Sequence, residues 1–265
     1  MTDIRSGTEE VETEDGVALA TGVLGPPDAP VALILAHGFS MASSDRRLAA
    51  VAGGLAEAGH AVYTFDFRGH GRSGGVCTLG ELEIHDLDAL VRLARREGHD
   101  RVVVIGASMG GFVALRHAAL LGGVDVVVAI STPATWGVSP RVRARVLSLA
   151  VQNRIGRRIL SVRGTRVVDT LPEPPLSPSQ LADRITIPVG LIHGARDPYV
   201  PVEDAVLLHE RLAGPKRLVV LPEFGHAEAA YTPDLVGLLE SLVEVLLSVA
   251  GGDGGECRDS LATDC

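Results

Sequence analysis

The stretch GASMGG, residues 106–111, joins the apolar run VVVI, residues 102–105, to a helix-like pattern that starts at Met109. A short apolar run of this kind predicts a strand that is buried on both faces. In a parallel sheet, a residue that follows such a strand lies in the crevice at the carboxyl ends of the strands, where ligands bind. The stretch therefore predicts a sharp turn that delivers Ser108 to a ligand crevice.

Glycine flanks this serine two positions before it and two positions after it. A side chain at Gly106 or Gly110 would collide with the strand or helix beside so tight a turn. Because the predicted helix begins directly after Ser108, the Met109 amide would point at an anion formed at the serine. The sequence matches the nucleophile-elbow motif, Gly-x-Ser-x-Gly, although a turn without a catalytic role can have the same sequence pattern.

The rest of the chain alternates apolar runs with patterns of helical period. Strands are predicted at 31–36, 61–65, 102–105, 124–130, 189–193 and 217–221, after an Asp-Gly hairpin at 13–17. Helices are predicted at 45–58, 79–96, 109–121, 202–213 and 233–249, with a capping box from Thr78 to Glu81 and Thr232 as the N-cap of the last helix. Such alternation predicts an α/β fold with an open, mostly parallel sheet and helices on both faces.

One segment, residues 132–184, interrupts the alternation and is rich in Pro, Arg and Ser. It has helical patterns at 142–152 and 155–162 and is predicted to be an insertion over one edge of the sheet. Its arginines have two interpretations: they recognise a carboxylate or phosphate of a substrate, as in a coenzyme-A thioester, or they form a solvated helix face. The predicted core is then 1–131 with 185–250, followed by a flexible Gly/Asp-rich tail, 251–265.

A serine hydroxyl is a weak nucleophile that needs a base, and the base needs an orienting acid. Asp197 follows the predicted strand 189–193, and His226 follows the predicted strand 217–221. We therefore expect Ser108, Asp197 and His226 to form a catalytic triad, in the chain order that this kind of scaffold uses. The amides of Phe39 and Met109 are the expected oxyanion donors.

Two further residues are candidates for the substrate-binding wall. Trp136, at the start of the insertion, either roofs an apolar pocket or anchors the insertion to the body of the protein. Glu228 lies two residues after His226 and is a second candidate for lining the pocket. His37 ends the predicted strand 31–36 and is interpreted as a structural turn histidine.

Composition narrows the classes of protein to consider. The 265 residues are 46% apolar, which is enough for one full core, and the net charge of −9 predicts repulsion from nucleic acid and from anionic lipid. We expect neither nucleic acid nor a membrane as a partner. Neither a signal peptide nor a membrane span is indicated, so a cytoplasmic location is expected. Cys77 is interpreted as structural, and whether Cys257 and Cys265 pair stays open.

Five short motifs occur in order along the chain: HGF at 37–39, DFRGHGRS at 66–73, GASMG at 106–110, GARD at 194–197 and GH at 225–226. In these motifs the sequence resembles the α/β-hydrolase superfamily, in particular its esterase and serine-aminopeptidase-like branch. The resemblance implies a three-layer fold, an eight-stranded sheet whose second strand is antiparallel, a lid after the sixth strand, and a reaction without a metal or organic cofactor. A serine at the elbow argues against epoxide hydrolases and haloalkane dehalogenases.

The expected function is hydrolysis of a small carboxylic ester through an acyl-enzyme on Ser108, with a small acyl compound as the only expected partner. Three alternatives stay open: a thioesterase, a peptidase of the same fold, and a ligand-binding member that does not hydrolyse its ligand. The sequence also leaves open whether the protein is a monomer or a homodimer.

Overall fold

The computed structural model describes residues 7–137, 141–170, 173–227 and 233–251. The described strands are β1 (Gly7–Glu12), β2 (Ala18–Leu24), β3 (Val31–Ala36), β4 (Ala61–Phe65), β5 (Arg101–Ala107), β6 (Val126–Ile130), β7 (Val189–Gly194) and β8 (Lys216–Leu221). The described helices are α1 (Arg46–Glu57), α2 (Glu83–Arg96), α3 (Met109–Leu120), α4 (Val142–Gln152), α5 (Arg154–Val162), α6 (Pro178–Leu181), α7 (Val202–Arg211) and α8 (Pro233–Ala250), and a 3₁₀ turn spans Ala182–Arg184.

All eight strands form one sheet in the order β1-β2-β4-β3-β5-β6-β7-β8. β2 runs antiparallel to both of its neighbours, and the remaining strand pairs are parallel. The β1–β2 hairpin closes as predicted, because the Thr13 hydroxyl accepts a hydrogen bond from the Val17 amide and Gly16 adopts a φ of +79°. The predicted sheet, including its antiparallel second strand, is confirmed.

The two faces of the sheet bury different helices. In β5, Val102 and Val104 pack with α2 and α3, whereas Val103 and Ile105 pack with α1 and α8. This alternation follows from the period of two in a strand, and both faces are covered because β5 is apolar at consecutive positions. The result is the expected three-layer α/β architecture. The carboxyl ends of its parallel strands lie at one edge of the sheet.

The predicted start of the second helix was wrong. We expected helix from residue 79 with a capping box to Glu81, but α2 begins at Glu83. Leu79 and Gly80 have φ values of 60° and 98°, which a right-handed helix does not allow. The N-cap residue, Leu82, makes no side-chain cap. The Glu83 carboxylate instead holds the loop before the helix, because it accepts hydrogen bonds from the Thr78 amide and hydroxyl and from the Gly80 amide.

The segment between β6 and β7 contains α4, α5, α6 and the 3₁₀ turn. The helical patterns predicted within it match α4, and α5 starts one residue earlier than expected. Sequence reasoning missed the short α6, which begins with Pro178 at its first position and a Ser177–Gln180 capping box. The predicted N-cap Thr232 and the tail beyond Gly251, with Cys257 and Cys265, lie outside the described residues.

Candidate active site

Ser108 sits at the junction of β5 and α3 in a strained conformation, with φ of 53° and ψ of −113°. Its amide donates to the Ile130 carbonyl at the end of neighbouring β6, which fixes the turn against the sheet. A positive φ in a residue with a side chain costs free energy and persists only where the surroundings impose it. The sharp turn predicted for the GASMGG stretch is therefore present, with the serine at its apex.

The glycines around Ser108 are required by backbone contacts. A Cβ atom on Gly106 would lie 2.5 Å from the Gly110 carbonyl oxygen, and one on Gly110 would lie 2.1 Å from the Ala36 carbonyl oxygen. Both distances are below any real carbon–oxygen contact, and backbone cannot move aside as a flexible side chain can. The elbow therefore lets α3 lie against the ends of β3 and β5 only because these positions lack side chains.

Replacing Gly110 with alanine is expected to destabilise the protein by more than about 2 kcal/mol, because the added methyl group collides with the backbone of β3. Gly53 in α1 is a matched control, since its added methyl would meet no atom within 4 Å. There the same substitution should stabilise the helix by about 0.5–1 kcal/mol. Urea unfolding of both variants measures the difference, and equal effects would rule out the packing explanation.

Asp197 and His226 form a hydrogen-bonded pair in the loops that follow β7 and β8, with Asp197 buried and His226 partly exposed. Asp197 Oδ2 accepts from His226 Nδ1 at 2.7 Å, and Asp197 Oδ1 accepts from the amides of Tyr199 and Val200 at 2.8 and 2.9 Å. Because a carboxylate oxygen only accepts, the hydrogen lies on Nδ1 and leaves Nε2 as an acceptor. The loops that carry the pair touch, since a Cβ on Gly194 would lie 2.1 Å from the Gly225 carbonyl oxygen.

The pKa of Asp197 lies below its ordinary value. Burial favours the neutral acid, but the hydrogen bond and charge of His226 and the two backbone amides outweigh it. Asp197 is therefore an ionised carboxylate at neutral pH, with both oxygens occupied by donors.

Ser108 and His226 line the same cavity, which has a volume of about 980 Å³. Among the described residues, no hydrogen bond joins the Ser108 hydroxyl to His226 in this state. Catalytic hydrogen bonds are often long in unliganded enzymes and tighten when a substrate binds. The oxyanion loop is adjacent, because a Cβ on Gly38 would lie 3.4 Å from Ser108 Cβ.

Phe39 and Met109, the expected oxyanion donors, also line this cavity. Within the described ranges, neither backbone amide donates a hydrogen bond to another protein group. Met109 is the first residue of α3, where an amide has no acceptor within its own helix. Both amides therefore remain available to a ligand oxygen.

His37 fixes the peptide that carries the Phe39 amide. Its ring Nε2 accepts from the Phe67 amide at 3.0 Å, so Nδ1 carries the hydrogen and donates to the Gly38 carbonyl at 2.8 Å. The Gly38 carbonyl and the Phe39 N–H belong to one planar trans peptide, so they point in opposite directions. The turn histidine predicted from the sequence thus also sets the direction of the Phe39 N–H.

His70 supports the same loop from behind. Its Nδ1 donates to the Arg68 carbonyl at 3.1 Å, its Nε2 accepts a long contact of 3.4 Å from the Ser40 amide, and its ring lies 5.1 Å from the His37 ring. The pKa of His70 is lowered from 6.5 to about 4. Burial is the larger cause, and electrostatic repulsion from the nearby His37 is the second. The ring is therefore neutral at physiological pH.

Because the unfolded chain binds a proton at His70 that the folded chain does not, stability is expected to fall as the pH drops from 6.5 towards 4. This residue alone should cost about 2 kcal/mol between pH 7 and pH 5. Urea unfolding at the two pH values measures the loss, which should shrink by that amount in His70→Asn. The partly exposed His85→Asn is the control, and an unchanged pH dependence in His70→Asn would contradict the assignment.

Helices α4 and α5 and Trp136 cover the cavity. The Trp136 indole Nε1 donates to the Leu79 carbonyl at 3.2 Å, which ties the start of this segment to the loop before α2, and the same residue lines the cavity. Leu147 and Leu160 contribute apolar walls from α4 and α5. Glu228, the second candidate for the wall, lies outside the described residues.

Tyr199 is a wall residue that sequence reasoning missed. The centroid of its ring lies 4.9 Å from that of the His226 ring. The Arg143 guanidinium of α4 lies over the Tyr199 ring, 5.9 Å from its centroid. Tyr199 follows Asp197 by two residues, so its position in the loop after β7 was the signal available. The contact links α4 to the loop that holds the acid.

The described residues contain no cluster of three or more His, Cys, Asp or Glu side chains able to hold a metal ion. In the same part of the chain, every helix is too short or too polar to cross a membrane. Cys77 is a buried free thiol whose pKa is raised by burial, so it is poorly suited to act as a nucleophile.

A family model described as "Serine aminopeptidase, S33" matches residues 27–170, which hold β3 to β6, the elbow and both helices that cover the cavity. This is more than half of the chain. The chain belongs to this family of α/β-hydrolases.

Relatives of this hydrolase include a monoacylglycerol lipase of Mycolicibacterium smegmatis, 29% identical over 88% of this chain and 94% of that protein. A second is the uncharacterized protein YqkD of Bacillus subtilis, 30% identical over 76% of this chain and 67% of that one. Among solved structures, the Pyrococcus furiosus esterase Pf2001 has a TM-score of 0.74 at 25% identity and covers 92% of this chain and 93% of its own. The expected superfamily is confirmed, and the protein is a hydrolase of this fold.

Proposed function

We propose that the protein is a serine hydrolase that cleaves a carboxylic ester of a small molecule through an acyl-enzyme on Ser108. The observation that carries the proposal is the Asp197–His226 pair, hydrogen-bonded at 2.7 Å and open to the cavity that also contains the strained Ser108. A serine at the apex of a sharp turn, facing the same cavity as a histidine that an acid orients, is an arrangement suited to nucleophilic catalysis. The similarity to a monoacylglycerol lipase and to an esterase supports an ester rather than an amide.

In the proposed reaction, Ser108 Oγ attacks the acyl carbonyl carbon while His226 Nε2 takes its proton. The carbonyl oxygen becomes an oxyanion that accepts hydrogen bonds from the amides of Phe39 and Met109. His226 then returns the proton to the departing alkoxide, which leaves as the alcohol. Asp197 keeps the hydrogen on His226 Nδ1 and stabilises the imidazolium during both transfers.

Water completes the cycle by the same route. His226 Nε2 takes a proton from the water as its oxygen attacks the acyl carbon, and the second tetrahedral oxyanion rests on the same two amides. When this intermediate collapses, His226 gives the proton to Ser108 Oγ, the carboxylic acid leaves and the enzyme is restored. The cycle uses three side chains and two backbone amides of the chain itself, together with one water molecule.

The apolar cavity predicts a preference for longer acyl chains. With p-nitrophenyl acetate, butyrate and octanoate, kcat/KM should rise with chain length, by up to roughly fourfold for each methylene that becomes buried. Octanoyl-coenzyme A and an octanoyl p-nitroanilide are the competing substrates. Faster turnover of the thioester would favour a thioesterase, faster turnover of the anilide a peptidase, and turnover of none of them a ligand-binding member.

A further inference from the structure

The two helices that cover the cavity carry the same nine-residue pattern, repeated after 13 residues. It reads RVRARVLSL at residues 141–149 and RIGRRILSV at residues 154–162. Both copies have arginine at the first and fifth positions, an aliphatic residue at the second, sixth and ninth, and Leu-Ser at the seventh and eighth. We call this pair of helices, α4 and α5, the lid hairpin.

The second, sixth and ninth positions fall on one face of a helix because they are spaced i, i+4 and i+7. That face points outward in both helices. The exposed fractions are 75%, 61% and 64% for Val142, Val146 and Leu149, and 76%, 52% and 84% for Ile155, Ile159 and Val162. A soluble protein normally turns such a stripe inward, and a contiguous exposed apolar face marks an interaction surface.

The six residues of these stripes are not buried in the core of the protein. The leucine at the seventh position of each copy, Leu147 and Leu160, faces inward instead and lines the cavity. The lid hairpin therefore has an inner apolar side, which belongs to the active-site cavity, and an exposed stripe on each helix. Within these stripes Leu149, Ile155 and Val162 do not line the cavity, whereas the other three residues are exposed and also line it.

Arginines flank the outer stripes on both sides. At 3.6 residues per turn, Arg145 and Arg158 lie next to the stripes on one flank. Arg143 and Arg163 lie on the other flank, at the border with the cavity, which both of them line. All four are exposed. Arg157, in contrast, faces the hairpin's interior, where it donates to the Val151 and Gln152 carbonyls. An aliphatic stripe bordered by cations is typical of a helix that lies in a lipid interface.

The charge of the protein is strongly segregated. Residues 141–170 hold eight arginines and one acidic residue, Asp169, a net charge of +7. The other 235 residues hold the remaining 16 basic and 32 acidic residues, a net charge of −16. The net charge of −9 is thus the sum of a cationic segment and an acidic body. An anionic surface would attract the cationic segment and repel the acidic body.

We propose that the lid hairpin docks the protein on the surface of an anionic lipid bilayer. The aliphatic stripes enter the boundary between head groups and acyl chains, and the exposed Arg145, Arg154 and Arg158 bind lipid phosphates. Val142, Val146 and Ile159 belong both to the stripes and to the wall of the Ser108 cavity, so the docked face borders the entrance of the candidate active site. The proposal departs from the expectation drawn from net charge, and it does not depend on the proposed catalytic function.

A second copy of the chain fits this surface less well. A two-fold contact through the same face would place the arginines of one hairpin opposite those of the other. Like charges facing one another across an interface cost several kcal/mol, whereas lipid phosphates neutralise them.

The test is flotation of the full-length protein with vesicles of phosphatidylcholine alone or mixed with phosphatidylglycerol, so it measures binding without any turnover. One variant removes the outer aliphatic side chains, with Leu149→Ser, Ile155→Ser and Val162→Ser. A second removes cations, with Arg145→Gln, Arg154→Gln and Arg158→Gln. None of these six residues lines the cavity. The control variants change exposed residues on the body: Leu120, Leu121 and Val206 to serine, and Arg46, Arg96 and Arg184 to glutamine.

We expect the wild-type protein to partition at least roughly tenfold more strongly into the anionic vesicles than into phosphatidylcholine, and added salt to weaken this binding. Each lid variant should lower anionic partitioning by roughly tenfold or more, while both control variants stay within about twofold of wild type. Thermal melting establishes that each variant is folded. Wild-type protein that stays unbound, or lid variants that bind as wild type does, would overturn the proposal. So would light scattering that finds a dimer which dissociates in the lid variants without any vesicle binding.

Discussion

Replacing Ser108 with alanine is expected to lower kcat/KM for p-nitrophenyl esters by roughly 10⁴-fold or more. The substitution removes Ser108 Oγ, the atom at the apex of the elbow that would form the acyl-enzyme. It keeps the Cβ atom and therefore the shape of the turn. Steady-state hydrolysis of p-nitrophenyl butyrate measures the loss. Thermal unfolding should change little, since the described residues give the Ser108 side chain no hydrogen-bond partner.

Ser148 provides the matched control for this variant. It is a serine of α4 that lines the same cavity but lies on the covering side, where it accepts a hydrogen bond from Gln152 at 2.7 Å. Ser148→Ala should keep activity within about threefold of wild type, in the range of ordinary surface changes. A loss in Ser148→Ala equal to that in Ser108→Ala would mean that the hydroxyl at the elbow has no special role.

Replacing Asp197 with asparagine should lower kcat by roughly 10⁴-fold while the fold is kept, a magnitude known from triads of this type. Asp197 Oδ1 accepts from two backbone amides, so the asparagine oxygen must take that position. Its NH₂ group then faces His226 and can only donate to Nδ1. His226 would carry its hydrogen on Nε2, the atom that must accept the proton of Ser108.

Asp204 supplies the control for this second substitution. It is a partly buried carboxylate of α7 that accepts from the Ala134 amide at 3.0 Å, a bond that an asparagine oxygen can also accept. Asp204→Asn is expected to stay within about threefold of wild-type activity. NMR of the histidine ring nitrogens in Asp197→Asn gives an independent readout, because it reports the tautomer of His226. Retention of hydrogen on Nδ1 would contradict the explanation even if activity fell.

Much of the fold was predictable because local pattern and tertiary environment agree. β3 and β4 have the bounds predicted for them, since each is a continuous apolar run buried on both faces. The start of α2 was not predictable from its helical pattern, because the choice depends on Leu79 and Gly80 adopting positive φ values. The capping-box pattern named Glu81, but the glutamate that bonds to Thr78 is the buried Glu83, and the N-cap residue Leu82 has no side-chain cap.

The candidate site also has residues that the sequence predicts and residues that it does not. Motifs placed Ser108, Asp197 and His226 at strand ends, and register in a parallel sheet brings strand ends to one edge. The ring contact of Tyr199 with His226 depends on how two loops fold against each other, which no periodicity encodes. Helical period predicted α4 and α5 but not which side of each faces outward, because an apolar stripe has the same spacing whether it is covered or exposed.

The most direct test is to react the purified protein with a fluorophosphonate and to map the modified peptide by mass spectrometry. One adduct per chain on the peptide that contains Ser108, absent after Ser108→Ala and strongly slowed in Asp197→Asn, is the predicted result. Folded protein that takes up no adduct, or that carries it on another residue, would contradict the assignment of Ser108 as the nucleophile.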